Sequence, residues 1–299
     1  MELRVLQYYL AVAREQTISG AAESLHLTQP TLSRQLKELE DELGKPLMIR
    51  GNRRITLTEE GMLLRKRAEE IVALVSKTTN EIACSSQVVA GDVSIGTGET
   101  DAVRIIARIA QSVQEQYPQI RYHITSGDSA DITEKLDKGL LDFGILLEPV
   151  DISKYDCLRL PMQDTWGVLM RKDAPLAHKQ RIAPEDLWHK PLIISRQTTE
   201  GSPLEKWMQL GLEQWNVVAT YNLLYNGSLM VDEGMGYALC LDKLVNTTGD
   251  SPLCFRPLEP PLEIGMNIVW KKYPIFSKAS KKFLHHLQQQ LISEPPASL

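Results

Sequence analysis

The sequence predicts an α/β chain with a small helical domain in front of a larger domain of alternating strands and helices. Three observations predict it. The chain has 299 residues, enough for about two domains at roughly 150 residues each. Its apolar spacing changes near residue 90, from helical periods to short runs that alternate with helices. Its charge is segregated: residues 1–90 carry 12 Lys and Arg against 12 Asp and Glu, whereas residues 91–299 carry 21 against 26, so the whole net charge of −5 sits in the second part.

The first 43 residues read as three short helices. Leu3, Leu6, Leu10 and Ala13 form a helical stripe, Ser19 caps a second helix that runs to Leu25, and Thr28 caps a third. Pro30 falls in the first turn of that third helix, where a missing N–H costs nothing. Leu32, Leu36, Leu39 and Leu43 give its buried stripe, and Gly44 stops it. Gln29, Thr31, Ser33, Arg34 and Lys37 lie off the stripe. Strands Pro46–Arg50 and Arg53–Leu57 flank a Gly51-Asn52 turn, which makes a hairpin with Arg50, Arg53 and Arg54 at its tip. Arg34, Lys37, Lys45, Arg50, Arg53 and Arg54 together form a basic face.

Residues 59–83 read as one long helix. Leu64, Ala68, Ile71, Val75, Thr78 and Ile82 are spaced 4, 3, 4, 3, 4, a heptad seam that buries itself best against its own copy. Ser85–Gly91 is the expected hinge. From Val93 the pattern is βαβαβ: strand Val93–Gly96, helix 101–116, strand Ile120–Ser126, helix 129–138, strand Leu141–Leu147. A second unit follows, with strands Thr165–Met170, Leu192–Ser195, Val217–Tyr221 and Gly236–Leu241 and helices at 202–210 and 227–233. Ile264–Trp270 is a strand and 276–292 a closing helix, with crossovers between two lobes at Pro161 and Gly265. Residues from Pro295 to Leu299 are expected to fray.

A helix–turn–helix with a basic hairpin is a shape that reads DNA. The third helix, from Thr28 to Leu43, is about 24 Å long, enough to cross the major groove. Its first residues, Gln29, Pro30, Thr31, Ser33 and Arg34, would meet base edges, while Lys37, Arg50, Arg53 and Arg54 would track phosphates or a minor groove. The alternative is a three-helix domain with a solvated polar face.

Catalysis has little to stand on. The chain lacks GxSxG, HExxH and the P-loop pattern, and Gly96-Thr97-Gly98 begins a dinucleotide fingerprint that Asp101 breaks. The six histidines, at 26, 123, 178, 189, 285 and 286, show no metal-ligand spacing. Cys84, Cys157, Cys240 and Cys254 form no CxxC, and their expected state is reduced thiols, with Cys240 and Cys254 as the leading candidate for a redox pair. The longest uncharged stretch, Gln214–Val231, contains three asparagines and a glycine and is too polar to span a bilayer. The N-terminal residues are amphipathic, unlike a signal peptide, so the expected place is the cytoplasm and no membrane partner is expected.

Residues 18–61, ISGAAESLHLTQPTLSRQLKELEDELGKPLMIRGNRRITLTEEG, closely resemble the signature of LysR-type transcriptional regulators, without a gap. Gly20 stands where that family often has Arg or Lys, Met48 where it has Phe, and Thr28 where it has Ser. The resemblance, which the length and order of elements extend to the whole chain, implies a winged helix–turn–helix over residues 1–58. It implies a dimerising linker helix and hinge over 59–90. Over 91–299 it implies an effector domain like a type 2 periplasmic binding protein, with one lobe from 91–161 and 266–299 and the other from 162–265. It implies double-stranded promoter DNA as partner, a homodimer or homotetramer, a small-molecule effector and no other cofactor or metal, and it admits RNA polymerase as a further partner.

Such a domain holds its ligand between lobes, at strand carboxyl ends. That places candidate effector contacts at Thr97, Gly98, Glu99 and Thr100; at Ser126, Asp128 and Ser129; at Ser195, Arg196 and Gln197; and at Asn226, Gly227 and Ser228. Thr100 and Ser129 can equally be helix caps, and Glu99 and Asp128 can complement helix dipoles. Arg196, the one cation of the four segments, can clamp an anion or pair with a surface carboxylate, and Glu99 opposite it would suit an amino-acid-like effector. A solute-binding protein and a small α/β enzyme are the rival readings. The first would lack a leader, and the second lacks a nucleophile–base pair.

Overall fold

The computed structural model describes residues 1–51, 54–83 and 89–293. The chain divides into two compact units, Met1–Ser85 and Ser86–Leu299. Asn52, Arg53, Cys84 and most of the Ser85–Gly91 hinge lie outside the described residues, as do 294–299.

In the first unit, α1 (Leu3–Glu15), α2 (Ile18–Ser24) and α3 (Gln29–Leu43) pack around one core, with β1 (Met48–Arg50) and β2 (Ile55–Leu57) beside them. The buried face of α1 is Val5, Leu6, Tyr9 and Val12 rather than the expected Leu3–Leu6–Leu10–Ala13 stripe. The reason is Tyr9. Its hydroxyl donates to Gly61 O at 2.7 Å in the interior, which turns the helix by about one position toward the start of α4 (Glu59–Ala83). Gly61 permits this approach, since a Cβ there would lie 2.0 Å from Leu47 O. Thr17, not Ser19, caps α2: it is extended and its hydroxyl accepts from Gly20 N.

Thr28 does occupy the N-cap of α3, but its hydroxyl bonds the Thr31 hydroxyl at 2.8 Å instead of a backbone N–H. Leu32, Leu36 and Leu39 are buried. Leu43 is 41% exposed, because Gly44 in the left-handed conformation turns the chain away there. The hairpin is antiparallel, with Ile49 opposite Thr56, and both strands are shorter than their sequence pattern. Glu40 of α3 ties it down, accepting from Leu47 N at 2.7 Å and Met48 N at 3.2 Å.

In the second unit, β3 (Gly91–Thr97), β4 (Ile120–Ser126) and β5 (Phe143–Leu147) pair in parallel in the order β4-β3-β5. They are linked by α5 (Val103–Gln116) and α6 (Ser129–Asp137), as βαβ crossovers require. β6 (Tyr155–Arg171) is one strand of 17 residues. The crossover expected at Pro161 falls inside it, where its pairing with the last strand shifts register. After α7 (Pro184–Leu187), β7 (Leu192–Ser195), α8 (Pro203–Met208), β8 (Val217–Tyr221), α9 (Leu224–Asp232) and β9 (Tyr237–Leu241) build the other half, in the order β6-β9-β7-β8. β10 (Leu253–Pro257), which the sequence pattern did not suggest, pairs with β6.

β11 (Glu263–Lys271) runs antiparallel to β6 over nearly its whole length, with a register shift between Gly265 and Asn267, and α10 (Lys278–Ser293) closes the chain. Among the described residues this unit has four hydrophobic clusters, and the two largest lie one in each lobe. One joins Val93, Ile106, Phe143, Ile268 and Phe283, and the other joins Val168, Ile182, Ile194, Leu204 and Leu239. The β6–β11 ribbon is what both lobes share.

Candidate functional site

The carboxyl ends of β3, β4 and β5 in one lobe face those of β7, β8 and β9 in the other across a cavity of about 180 Å3. Each wall begins where a strand stops. Gly98 and Glu99 follow β3, Ser129 follows β4, and Glu148 and Pro149 follow β5. Ser195 and Gln197 end or follow β7, Tyr221 and Asn222 end or follow β8, and Leu241 ends β9. Trp166 and Ile264 of the β6–β11 ribbon form the back. Parallel strands leave their ends as ligand-sized crevices for this reason.

Of the candidate effector contacts, Gly98, Glu99, Ser129, Ser195 and Gln197 line the cavity, and the others do not. Thr97 is buried and its hydroxyl donates to Gly98 O at 2.7 Å. Thr100 is buried too. Its hydroxyl accepts from Ala102 N at 3.1 Å and donates to Asp164 Oδ2 at 2.5 Å, so it serves the start of the α5 segment. Ser126 is exposed on the edge strand. Asn226, Gly227 and Ser228 lie inside α9 rather than before it, because the helix begins three residues earlier than its sequence pattern suggests. Ser228 donates to Tyr225 O at 2.7 Å, and Gly227 packs against the Tyr221 ring, where a Cβ would sit at 3.0 Å.

Arg196 and Glu99 do not face each other as a pair for a zwitterion. Arg196 donates from Nε to Asp128 Oδ2 at 2.7 Å and from Nη2 to Asp131 Oδ2 at 2.9 Å. Glu99 accepts from Leu224 N, the first N–H of α9. Gln197 Oε1 accepts from Ser129 N at 3.1 Å. All three ties cross between the lobes. Asp128 also caps α6 by accepting from Asp131 N at 2.9 Å. Burial pushes its carboxyl up, but the Asp131 N–H and the Arg196 guanidinium outweigh that and hold it below its ordinary value. Asp164 has the opposite balance. Burial raises it, the Thr100 hydroxyl offsets only part, and its Oδ1 has no hydrogen-bond partner.

The sequence reading passed over Glu148, Pro149, Trp166, Thr198, Tyr221, Asn222 and Leu224 among the lining residues. The rule that found Gly98 and Ser195 would have found those after β5 and β8, since both strand ends were legible. Trp166 carried no signal, as its place depends on the ribbon crossing between lobes. Cys240 and Cys254 sit on β9 and β10, on opposite edges of β6, opposite Gly167 and Met170. Two strand spacings, about 9 to 10 Å, exceed the reach of a disulfide, so the candidate redox pair is not a pair. Among the described residues no cluster of His, Cys, Asp or Glu could hold a metal ion, and no helix is long and apolar enough to cross a membrane.

In the first unit, Gln29, Pro30, Thr31, Arg34 and Lys37 are exposed on α3, with Ser33 half-buried among them. Arg50 Nη1 reaches Ser33 Oγ at 3.4 Å, which brings the hairpin beside the start of α3, and Arg54 is exposed on the hairpin. Arg34 lies 3.7 Å from Glu38, an exposed pair of little energetic weight. Arg53 lies outside the described residues.

The LysR substrate binding domain matches residues 86–292, and the bacterial regulatory helix-turn-helix of the lysR family matches residues 3–62. The chain is 27% identical over 299 residues to the Hca operon transcriptional activator HcaR of Escherichia coli (strain K12), covering 98% of this chain and 99% of that one. It is 28% identical over 195 residues to the hydrogen peroxide-inducible genes activator of Pectobacterium carotovorum subsp. carotovorum, covering 65% and 64%. The fold is similar to that of full-length CbnR in complex with its target DNA, with a TM-score of 0.73 at 18% identity over 97% of this chain and 99% of that one. The chain belongs to the LysR family of transcriptional regulators, with a helix–turn–helix DNA-binding domain ahead of an effector-binding substrate domain.

Proposed function

We propose that this regulator binds promoter DNA as a homo-oligomer and changes its grip when a small molecule enters the cavity between its lobes. Residues 1–58 contact DNA, 59–90 pair the subunits, and 91–299 sense the effector, with lobes divided at 161–162 and 265–266. Gln29, Pro30, Thr31, Ser33 and Arg34 meet base edges. Lys37, Arg50, Arg53 and Arg54 hold phosphates or a groove. The observation that carries this reading is the division of α3: Leu32, Leu36 and Leu39 are buried while the polar residues of its first turns stand exposed beside Arg50.

On α4 the seam divides. Ala68 is buried in its own unit, whereas Ile71, Val75 and Ile82 are exposed, with Ile82 at 79%, and Leu74 beside the seam is exposed too. A second α4 would cover them. The effector sits among Gly98, Glu99, Ser129, Ser195 and Gln197, and it acts only by its difference in affinity between lobe arrangements. The protein acts in the cytoplasm, without catalysis and without a cofactor other than the effector, and RNA polymerase is its further partner at promoters.

The test is genome-wide DNA binding by the purified protein at one stated salt concentration. Enrichment at a few dyad sites is the expected outcome, and their neighbouring genes would point to the effector. Uniform binding without dyads, with and without cell extract, would refute the reading.

A further inference from the structure

We propose that the cavity selects a small organic cation, a protonated amine on an apolar body, and turns carboxylates away. The inference rests on the reading of the cavity as the effector site and names the chemistry of that effector.

The first support is charge. Among the described residues the lining includes two carboxylates, Glu99 and Glu148, and no Lys, Arg or His. The guanidinium groups of adjoining segments are already engaged, Arg196 by Asp128 and Asp131, and Arg159 by Glu148 at 3.2 Å. Asn267 also donates to Glu148 at 3.1 Å, so Glu148 is compensated. The partner the structure gives Glu99 is a neutral backbone N–H. Glu99 therefore sets the sign of the cavity, and a second anion beside it, away from bulk water, would have no counter-charge.

Position is the second support. The N–H groups at a helix start are the usual dock for a ligand anion. At α9 the first of those N–H groups is taken, because Glu99 of the opposite lobe bonds Leu224 N. The protein's own carboxylate stands in the place of an effector's. A carboxylate accepts through both oxygens, so one bond to Leu224 leaves Glu99 able to receive an ammonium donor.

Size and walls complete the match. A cavity of about 180 Å3 is little larger than the roughly 150 Å3 that accepts one benzene. The ligand is then about six to ten non-hydrogen atoms, far below the drug-sized range. Trp166 and Tyr221 supply aromatic surface, and Leu224 and Leu241 aliphatic surface, a lining that favours a cation on a hydrocarbon body over an anion.

The test uses the full-length protein and triads of one body with three heads: benzylamine, benzyl alcohol and benzoate, with the matching cyclohexyl and n-butyl series. Affinities come from calorimetry at pH 7. The expected result is that amines bind at least about tenfold more tightly than the alcohols, that carboxylates do not bind, and that Glu99→Gln erases the amine preference while keeping the bond to Leu224 N. Carboxylates binding as well as amines, or an amine preference unchanged in Glu99→Gln, would overturn the proposal and leave the effector site standing. Gly98→Trp serves as the control. An added Cβ at Gly98 meets nothing closer than Gly127 O at 3.9 Å, so the backbone there accepts a side chain, and the indole would have to occupy the cavity wall. Binding that survives Gly98→Trp would overturn the cavity as the effector site and this proposal with it, whereas no binding in any triad would overturn this proposal alone.

Discussion

Arg196 on one lobe donates to Asp128 on the other, with Nε 2.7 Å from Oδ2, so a cation that the sequence offers to a ligand is held by the protein itself. The pair bridges the two lobes, and its partners have unequal surroundings: the Asp128 side chain is 8% exposed and the Arg196 side chain 48%.

Removing this clasp has a signature in pH as well as in stability. Arg196→Ala is expected to cost about 1 kcal/mol in urea unfolding, a modest figure because solvent screens the half-exposed guanidinium. The folded value of Asp128 is depressed, so its contribution is fully present above the ordinary 3.8 and is lost as pH falls through the lower folded value. Unfolding curves at pH 7 and pH 3 should therefore differ more for the parent than for Arg196→Ala. Equal pH dependence would show that the bond contributes nothing.

Asp164 should behave with the reverse sign. Its folded value is raised by burial, so ionising it costs stability. The cost is absent below 3.8, grows as pH rises and is complete above the raised value. The stability of Asp164→Asn relative to the parent should accordingly improve as pH rises above 3.8 and level off once the raised value is passed. A difference that stays constant across that range would place Asp164 in an unstrained, solvated setting.

Substitutions on α3 and the hairpin should separate two kinds of contact. Arg34→Ala is expected to weaken binding to a preferred site by about 1–3 kcal/mol and to relax the choice of base there. Arg54→Ala should weaken all sequences alike and reduce the salt slope by about one. Fluorescence anisotropy on specific and random duplexes at several salt concentrations reads both.

The exposed half of the α4 seam gives a prediction about assembly. A charge at Val75 or Ile82 has solvent around it in the single chain and a desolvated interface in the pair. The Val75→Glu, Ile82→Glu double variant should raise the dissociation constant of the subunits by about thirtyfold or more, read by sedimentation, with helix content unchanged. A charge at Ala68, which is buried, should instead unfold the first unit.

Much of this fold was legible because local signals were strong and agreed. Leu32, Leu36 and Leu39 fall one per turn between a cap and a glycine, and the α3 they predict is the α3 that forms. The strands at Ile120–Ser126, Leu192–Ser195 and Val217–Tyr221 appear with the predicted ends, because each is bounded by turn residues. What stayed hidden depended on distant partners. Tyr9 rotates α1 because of Gly61, 52 residues away. The site was legible as loops and not as side chains: strand ends located the cleft, but nothing near Arg196 in sequence announces Asp128 and Asp131, and nothing near Glu99 announces Leu224. The crossover expected at Pro161 falls where β6 and β11 shift register within one continuous strand, a pairing between distant residues that no local signal announces.

That continuous ribbon has a mechanical and a modular consequence. The chain enters the second lobe on β6 and leaves it on β11, and the two are hydrogen-bonded neighbours at the point of crossing. A change of angle between the lobes would therefore have to twist both strands near the register shift at Gly265. The segment between Gln163 and Gly265 is also a cassette whose two ends are paired side by side. Exchanging that cassette between two related regulators would transplant half of the ligand-reading surface through a single double-stranded seam, with the DNA-binding unit untouched.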